Sequence, residues 1–385
     1  RLDYGYQAVG SLTPMAKALI KTAYGRGPDR SYFGGCSNGG RHAMIAAARY
    51  GDQYDGILAG APGFHLPKAA TAQLWKVQQY ASIASATVAS GADAGQPDIT
   101  SAVTPTEFKL LGAAITAKCD ALDGVADGIV SDTASCQASF KLDTDVPTCS
   151  GARDGSCLSA AQKTVLGRIF AGARNSKGEA TYANFYVDPG VAGANHAAWH
   201  YSNSTALDPG AVAFIFTTLP STLAAFQSTT GLKYGLAFNM DTDHPKMLAT
   251  DATYKESPWS YMTPPNETDL STLRNRGAKL LVYHGTADPI FSAADTAKWY
   301  DALQAANANS AADFARYFQV PSMNHCSGGP ATDQFDMISQ LVAWVEQGAA
   351  PEQVVAILRG GYVLSDRVQA QASILATGSE VGLAM

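Results

Sequence analysis

Residues 30–41 read Arg30-Ser-Tyr-Phe-Gly-Gly-Cys36-Ser37-Asn38-Gly39-Gly40-Arg41. Within them, Gly35-Cys-Ser-Asn-Gly39 has the form G-x-S-x-G, which holds a serine on a sharp turn between a strand and a helix. The aromatic run before it, bounded by turn residues, predicts a short buried strand. Arg41 to Tyr50 is rich in Ala and free of Pro and Gly, which predicts a helix that Gly51 ends. Gly39-Gly40 leaves room for a tight crossing, and Gly56-Ile-Leu-Ala-Gly-Ala-Pro62 reads as the next strand and its exit. In a chain with 36 glycines the motif alone arises by chance. Strand, turn and helix around it together predict an α/β fold with Ser37 as a nucleophile.

A serine nucleophile needs a base and an acid, which this architecture supplies in the chain order Ser, Asp, His. Lys279-Leu-Leu-Val-Tyr-His-Gly285 is an apolar strand followed by Thr-Ala-Asp288-Pro289. That puts a carboxylate just past a strand's C-terminal end, where α/β enzymes gather their functional groups. A helix is predicted over 293–306 and a strand over 314–320, with His325 in the loop beyond. Of seven histidines only His325 follows Asp288, so chain order leaves one candidate base. In this scheme His325 takes the Ser37 proton, Asp288 orients the imidazole, and the backbone N–H of Asn38 supplies one oxyanion donor. Cys36 precedes the serine and Cys326 follows the histidine. If they pair, nucleophile and base must be neighbours, since a disulfide brings its Cα atoms within about 7 Å.

Three stretches together resemble the tannase/feruloyl esterase family: Asp3-Tyr-Gly-Tyr6, Ser31 through Arg41, and Tyr54-Asp-Gly-Ile-Leu-Ala-Gly-Ala-Pro62. The family's hallmark is a Cys-Ser, Asp, His-Cys set, here Cys36-Ser37, Asp288 and His325-Cys326. The resemblance covers roughly residues 1–350. It implies an α/β-hydrolase fold with a large inserted lid, and hydrolysis of aromatic-acid esters of feruloyl, galloyl or terephthaloyl type through a Ser-His-Asp triad. It also implies the Cys36–Cys326 disulfide. The remaining cysteines fit the same picture as Cys119–Cys136 and Cys149–Cys157, and six paired cysteines place the protein in an oxidising, secreted or periplasmic location. No C-x-x-C spacing points to zinc.

Between Cys119 and Cys136 lies Asp120-Ala-Leu-Asp-Gly-Val-Ala-Asp-Gly-Ile129. Three carboxylates with two glycines supply the hard oxygen ligands that calcium prefers, outside the EF-hand spacing; an acidic surface turn reads equally well from the residues alone. The family binds calcium in its lid, which carries ligation onto Asp120, Asp123 and Asp127, with the carbonyls of Val125 and Ile129. Its role would be structural, and no organic cofactor is expected.

A discontinuous catalytic domain is expected at 1–65 and 266–355, around a lid at 66–265, with helices near 74–86 and 159–173. A hydrophobic fraction of 46% suits a sizeable core. The net charge of -6 argues against nucleic acid or an anionic membrane as partner, and no apolar run is long enough to span a bilayer. The oligomeric state is unknown. Aromatic side chains near the site (Trp199, Phe214, Phe216, Phe226, Trp259, Tyr261) could stack an acyl group or form lid core; Phe291 is the better placed, close after Asp288. Lys233 and Lys246 are candidates for a substrate carboxylate.

Two features depart from the family. Only 36 residues precede Ser37, so N-terminal strands and the second oxyanion donor are expected to be missing or abbreviated. The tail, 356–385, resembles a transketolase segment without a thiamine or metal site. Two other functions fit parts of the chain: a non-catalytic, calcium-stabilised hydrolase-like module, and a serine peptidase of the same fold.

Overall fold

The computed structural model describes residues 1–358 and the backbone of 371–375. Most of the transketolase-like stretch therefore lies outside the described residues. Chain order is α1 (Ala8–Tyr24), β1 (Tyr32–Cys36), α2 (Asn38–Arg49), β2 (Gly56–Gly60), α3 (Leu66–Ala81), α4 (Pro105–Cys119), α5 (Ala160–Ala171), β3 (Lys279–Gly285), α6 (Ala293–Ala306), β4 (Ala315–Val320) and α7 (Met337–Gln347), with shorter elements between.

β1 to β4 form one parallel sheet in the order β1-β2-β3-β4, and Gln334–Phe335, Gln353–Ile357 and Gln371–Leu375 form a second, antiparallel one. Successive side chains point to opposite faces of a strand, and here both faces are covered. Leu280 and Val282 pack with Ile57, Ala59, Trp299 and Leu303 on one side. Leu281 packs with Phe318, Met337, Leu341 and Trp344 on the other. This double burial explains why β3 reads as an unbroken apolar run. β1 lies at the end of the strand order; residues 1–31 hold helical turns and no strand, and Leu12, Met15 and Leu19 of α1 are exposed.

β2 and β3 are neighbours in register, yet more than 200 residues separate them in sequence. The intervening chain packs around a core of its own. Leu74, Val77 and Tyr80 of α3 meet Phe108, Leu111 and Ile115 of α4 and Val165, Leu166 and Ile169 of α5. Capping boxes start two of these helices, Thr104 with Glu107 and Ser159 with Gln162. The buried Glu107 also pairs with Arg153 at 2.7 Å. Disulfides Cys119–Cys136 and Cys149–Cys157 staple this region, as expected. Among the described residues no helix is long and apolar enough to cross a membrane.

Two helix boundaries differ from expectation. α2 begins at Asn38, so Gly39 and Gly40 form its first turn instead of a linker before it. A Cβ on Gly40 would lie 2.3 Å from the Gly60 carbonyl, so close packing against the β2 exit explains the glycine. α3 begins eight residues before Leu74 because Pro67 fits a first helical turn. It ends at Ala81, and Ser85 N beyond it donates to Ser101 Oγ instead of continuing the helix.

Candidate active site

Ser37 sits between β1 and α2 with φ 65° and ψ -124°, a strained conformation for a non-glycine residue. Its N–H donates to Gly60 O at 3.0 Å, and its carbonyl accepts from Arg41 N at 2.9 Å. The backbone thus holds the hydroxyl out at the sheet's C-terminal end. Asn38 opens α2, and its Oδ1 accepts from Arg41 Nε at 2.7 Å. The Arg41 guanidinium is fully buried and also donates to the carbonyls of Tyr4, Gly5 and Met262. Burial pushes its pKa down to about 10, still charged at neutral pH.

Three side chains from distant parts of the chain meet at Ser37. His325 Nε2 lies 2.8 Å from Ser37 Oγ, and His325 Nδ1 lies 2.7 Å from Asp288 Oδ2. Asp288 Oδ1 accepts from the N–H groups of Ile290 and Phe291 at 2.9 and 3.0 Å. Burial raises the Asp288 pKa, but the imidazoles of His325 and His284 outweigh it and hold the carboxyl well below the usual range. The Cys36–Cys326 disulfide, with Cα atoms 6.0 Å apart, joins the chain on either side of the Ser37–His325 contact.

The chain between β2 and β3 supports this centre from behind. Gln73 Nε2 donates to the carbonyls of Pro289 and Ile290, and buried Lys76 Nζ donates to Pro289 O at 2.9 Å. Thr286 Oγ1 donates to Asp188 Oδ2 at 2.6 Å, and Asn324 Nδ2 donates to Gly190 O at 2.9 Å. The acid and base loops are therefore both fastened to the inserted segment.

Phe291 and Trp199 both meet the His325 ring edge-on, at 5.2 and 5.0 Å between centroids. The other aromatic candidates are engaged elsewhere. Trp259 stacks on His65 and carries Lys68 Nζ 4.4 Å over its face. Phe214 pairs with Phe226, while Phe216 and Tyr261 are buried in the inserted core. Lys233 donates to Ala92 O and Lys246 pairs with Asp243, so both candidate cations have partners.

In the acidic loop, Asp120 Oδ1 accepts from Gly128 N, Asp123 accepts from Val125 N and Ser131 N, and Asp127 Oδ1 accepts from Ile129 N. Burial raises the Asp127 pKa, and the facing charges of Asp123 and Asp120 add to it. The donor chemistry suits a hard cation: oxygen-rich, like-charged and lacking an ammonium partner in the hydrogen bonds just named. Among the described residues, however, no three His, Cys, Asp or Glu side chains converge as a metal-holding group.

Sequence reasoning missed His284. Its Nε2 lies 3.1 Å from Asp288 Oδ2 and its Nδ1 2.9 Å from Thr296 Oγ1. The four-residue spacing from His284 to Asp288 across a strand exit was the available signal.

A family model described as tannase and feruloyl esterase matches residues 1–370. The chain is 40% identical to mono(2-hydroxyethyl) terephthalate hydrolase of Piscinibacter sakaiensis, over 92% of this chain and 62% of that protein. It is 27% identical to probable feruloyl esterase B-1 of Neosartorya fischeri, over 91% of this chain and 63% of that protein. The chain thus spans less than two thirds of the length of these relatives. The crystal structure of feruloyl esterase B from Aspergillus oryzae superposes with a TM-score of 0.74 at 22% identity, over 98% of this chain and 71% of that one. Tannin acyl hydrolase from Aspergillus niger superposes with a TM-score of 0.67 at 22% identity, over 97% and 67%. These two likenesses identify the α/β-hydrolase fold.

Proposed function

Because the chain belongs to the tannase and feruloyl esterase family, we propose that it hydrolyses carboxylic esters of aromatic acids through an acyl-enzyme on Ser37. The observation that carries this reading is the unbroken line from Ser37 Oγ through His325 to Asp288, with both links under 3 Å. As Ser37 Oγ attacks the ester carbonyl, His325 Nε2 takes its proton, and Asp288 stabilises the resulting imidazolium without itself being protonated. The carbonyl oxygen becomes an oxyanion facing the Asn38 N–H at the start of α2; one such donor contributes about 3–4 kcal/mol. Collapse expels the alcohol, protonated by His325. Water activated by the same imidazole then releases the acid. Phe291 and Trp199, both against the base, are the aromatic surfaces best placed to meet an acyl ring.

The like-charged Asp120, Asp123 and Asp127 support calcium binding, with the Val125 and Ile129 carbonyls as further ligands. The ion would neutralise the loop and brace the inserted segment, and it takes no part in the proton transfers. Export to an oxidising compartment is supported by the pairing of all six cysteines.

Hydrolysis of methyl ferulate, methyl gallate and a terephthalate monoester tests the substrate class. Turnover of at least one is expected. A folded protein that cleaves none of them, yet cleaves a peptide or an aliphatic ester, would overturn it.

A further inference from the structure

The acid of the triad is shared by two imidazoles. His284, at the end of β3, and His325, beyond β4, both reach Asp288 Oδ2, at 3.1 and 2.7 Å. His284 is completely buried, and so is Thr296 of α6, whose Oγ1 lies 2.9 Å from His284 Nδ1. Both ring nitrogens of this buried imidazole have a polar partner. An ionised carboxylate only accepts, so Nε2 carries the hydrogen that faces Asp288, and Nδ1 accepts from the Thr296 hydroxyl. The line Thr296 → His284 → Asp288 thus mirrors the line from the other side through His325. Gly285 makes the arrangement possible. A Cβ there would lie 2.2 Å from Met323 O, so only glycine lets the acid and base loops close together.

We propose that His284 is a positioning residue for the hydrolytic reaction: its Nε2–H fixes the Asp288 carboxylate and draws part of its charge away from His325. The inference rests on the triad reading above. A carboxylate with one oxygen held by two backbone N–H groups and the other by a second imidazole cannot rotate away from His325. Nor does it present its full charge to that base, because part of it is taken up by the His284 N–H. Among the described residues, Lys76 of α3 and His196 and Tyr182 from the inserted segment also interact electrostatically with Asp288. All three stay in place in the variants below, so differences between variants report His284.

The test is the pH dependence of kcat/KM for an aromatic ester, with the low-field Nδ1–H proton resonance of His325 recorded in parallel. In His284→Leu the full carboxylate charge falls on His325. The acid limb should move to higher pH and the His325 resonance should change position, with kcat down roughly tenfold. His284→Gln places an amide N–H near the position of Nε2 and should restore most of both. Thr296→Val, which keeps the imidazole, covers the case in which the leucine variant does not fold; it should shift the limb in the same direction by less. A lower kcat with an unmoved acid limb and an unmoved resonance would reduce His284 to a packing role and overturn the inference. Loss of the triad reading looks different: turnover would then survive Ser37→Ala, whatever His284 does.

Discussion

His65 shows how much one residue can tie together. It precedes α3, where the chain leaves the sheet for the inserted segment, and its ring nitrogens lie 2.9 Å from Glu267 and 2.8 Å from Asp295. Glu267 lies just before the chain re-enters the sheet, and Asp295 is in the first turn of α6, so one imidazole spans both crossings. Burial lowers its pKa, but Asp295 and then Glu267 outweigh that and raise it to about 9. A group whose pKa rises on folding stabilises the fold fully below its unfolded value, about 6.5, and loses that contribution as pH climbs through the folded value. The melting temperature of the wild type should therefore exceed that of His65→Gln most near pH 6, with the gap closing between pH 7 and 10. A gap that is constant or widens with pH would contradict this. Neither partnership is visible in the sequence, because more than 200 residues separate His65 from each carboxylate. His284 escaped for another reason. Chain order searches for a base and an acid, and a second histidine that serves the acid has no place in that search. Ser37, Asp288 and His325 were legible because each lies at a strand exit and strand exits are marked by Gly and Pro.

At the scale of elements, β2, β3, β4 and α6 were readable as short apolar runs and a Pro-free stretch, since a parallel sheet buried on both faces needs such strands. The inserted segment was much less so. Many of its helices are only three to seven residues long, as in Leu223–Gln227 and Pro258–Met262, too short to display a 3.6-residue period. Their positions are set by packing and by the local disulfides. The acidic loop beside one of these disulfides belongs to the same class: its composition is plain and its shape is not. If calcium closes it, the protein with calcium at about 100 times its dissociation constant gains roughly 2.7 kcal/mol. A domain of this size should then melt a few degrees higher than in EDTA, by about 5 °C. Asp123→Asn should abolish most of that difference. Equal melting temperatures with calcium and EDTA would remove calcium from the account.

Across the whole molecule, the Cys36–Cys326 disulfide closes a separation of 290 residues and holds the two halves of the sheet at the point where the chemistry is proposed. Closing so long a loop stabilises by roughly 5–6 kcal/mol in the chain-entropy model, an upper estimate. Its larger consequence is geometric, because it keeps the Ser37 elbow and the His325 loop adjacent while the inserted segment clamps Asp288 from the other side. That arrangement positions Ser37 to carry the proposed acyl group. The most direct measurement is mass spectrometry of protein quenched during turnover of an aromatic ester. An acyl increment is expected on the peptide containing Ser37, absent in Ser37→Ala together with turnover. Sustained hydrolysis with no adduct on that peptide, or an adduct on another residue, would contradict it.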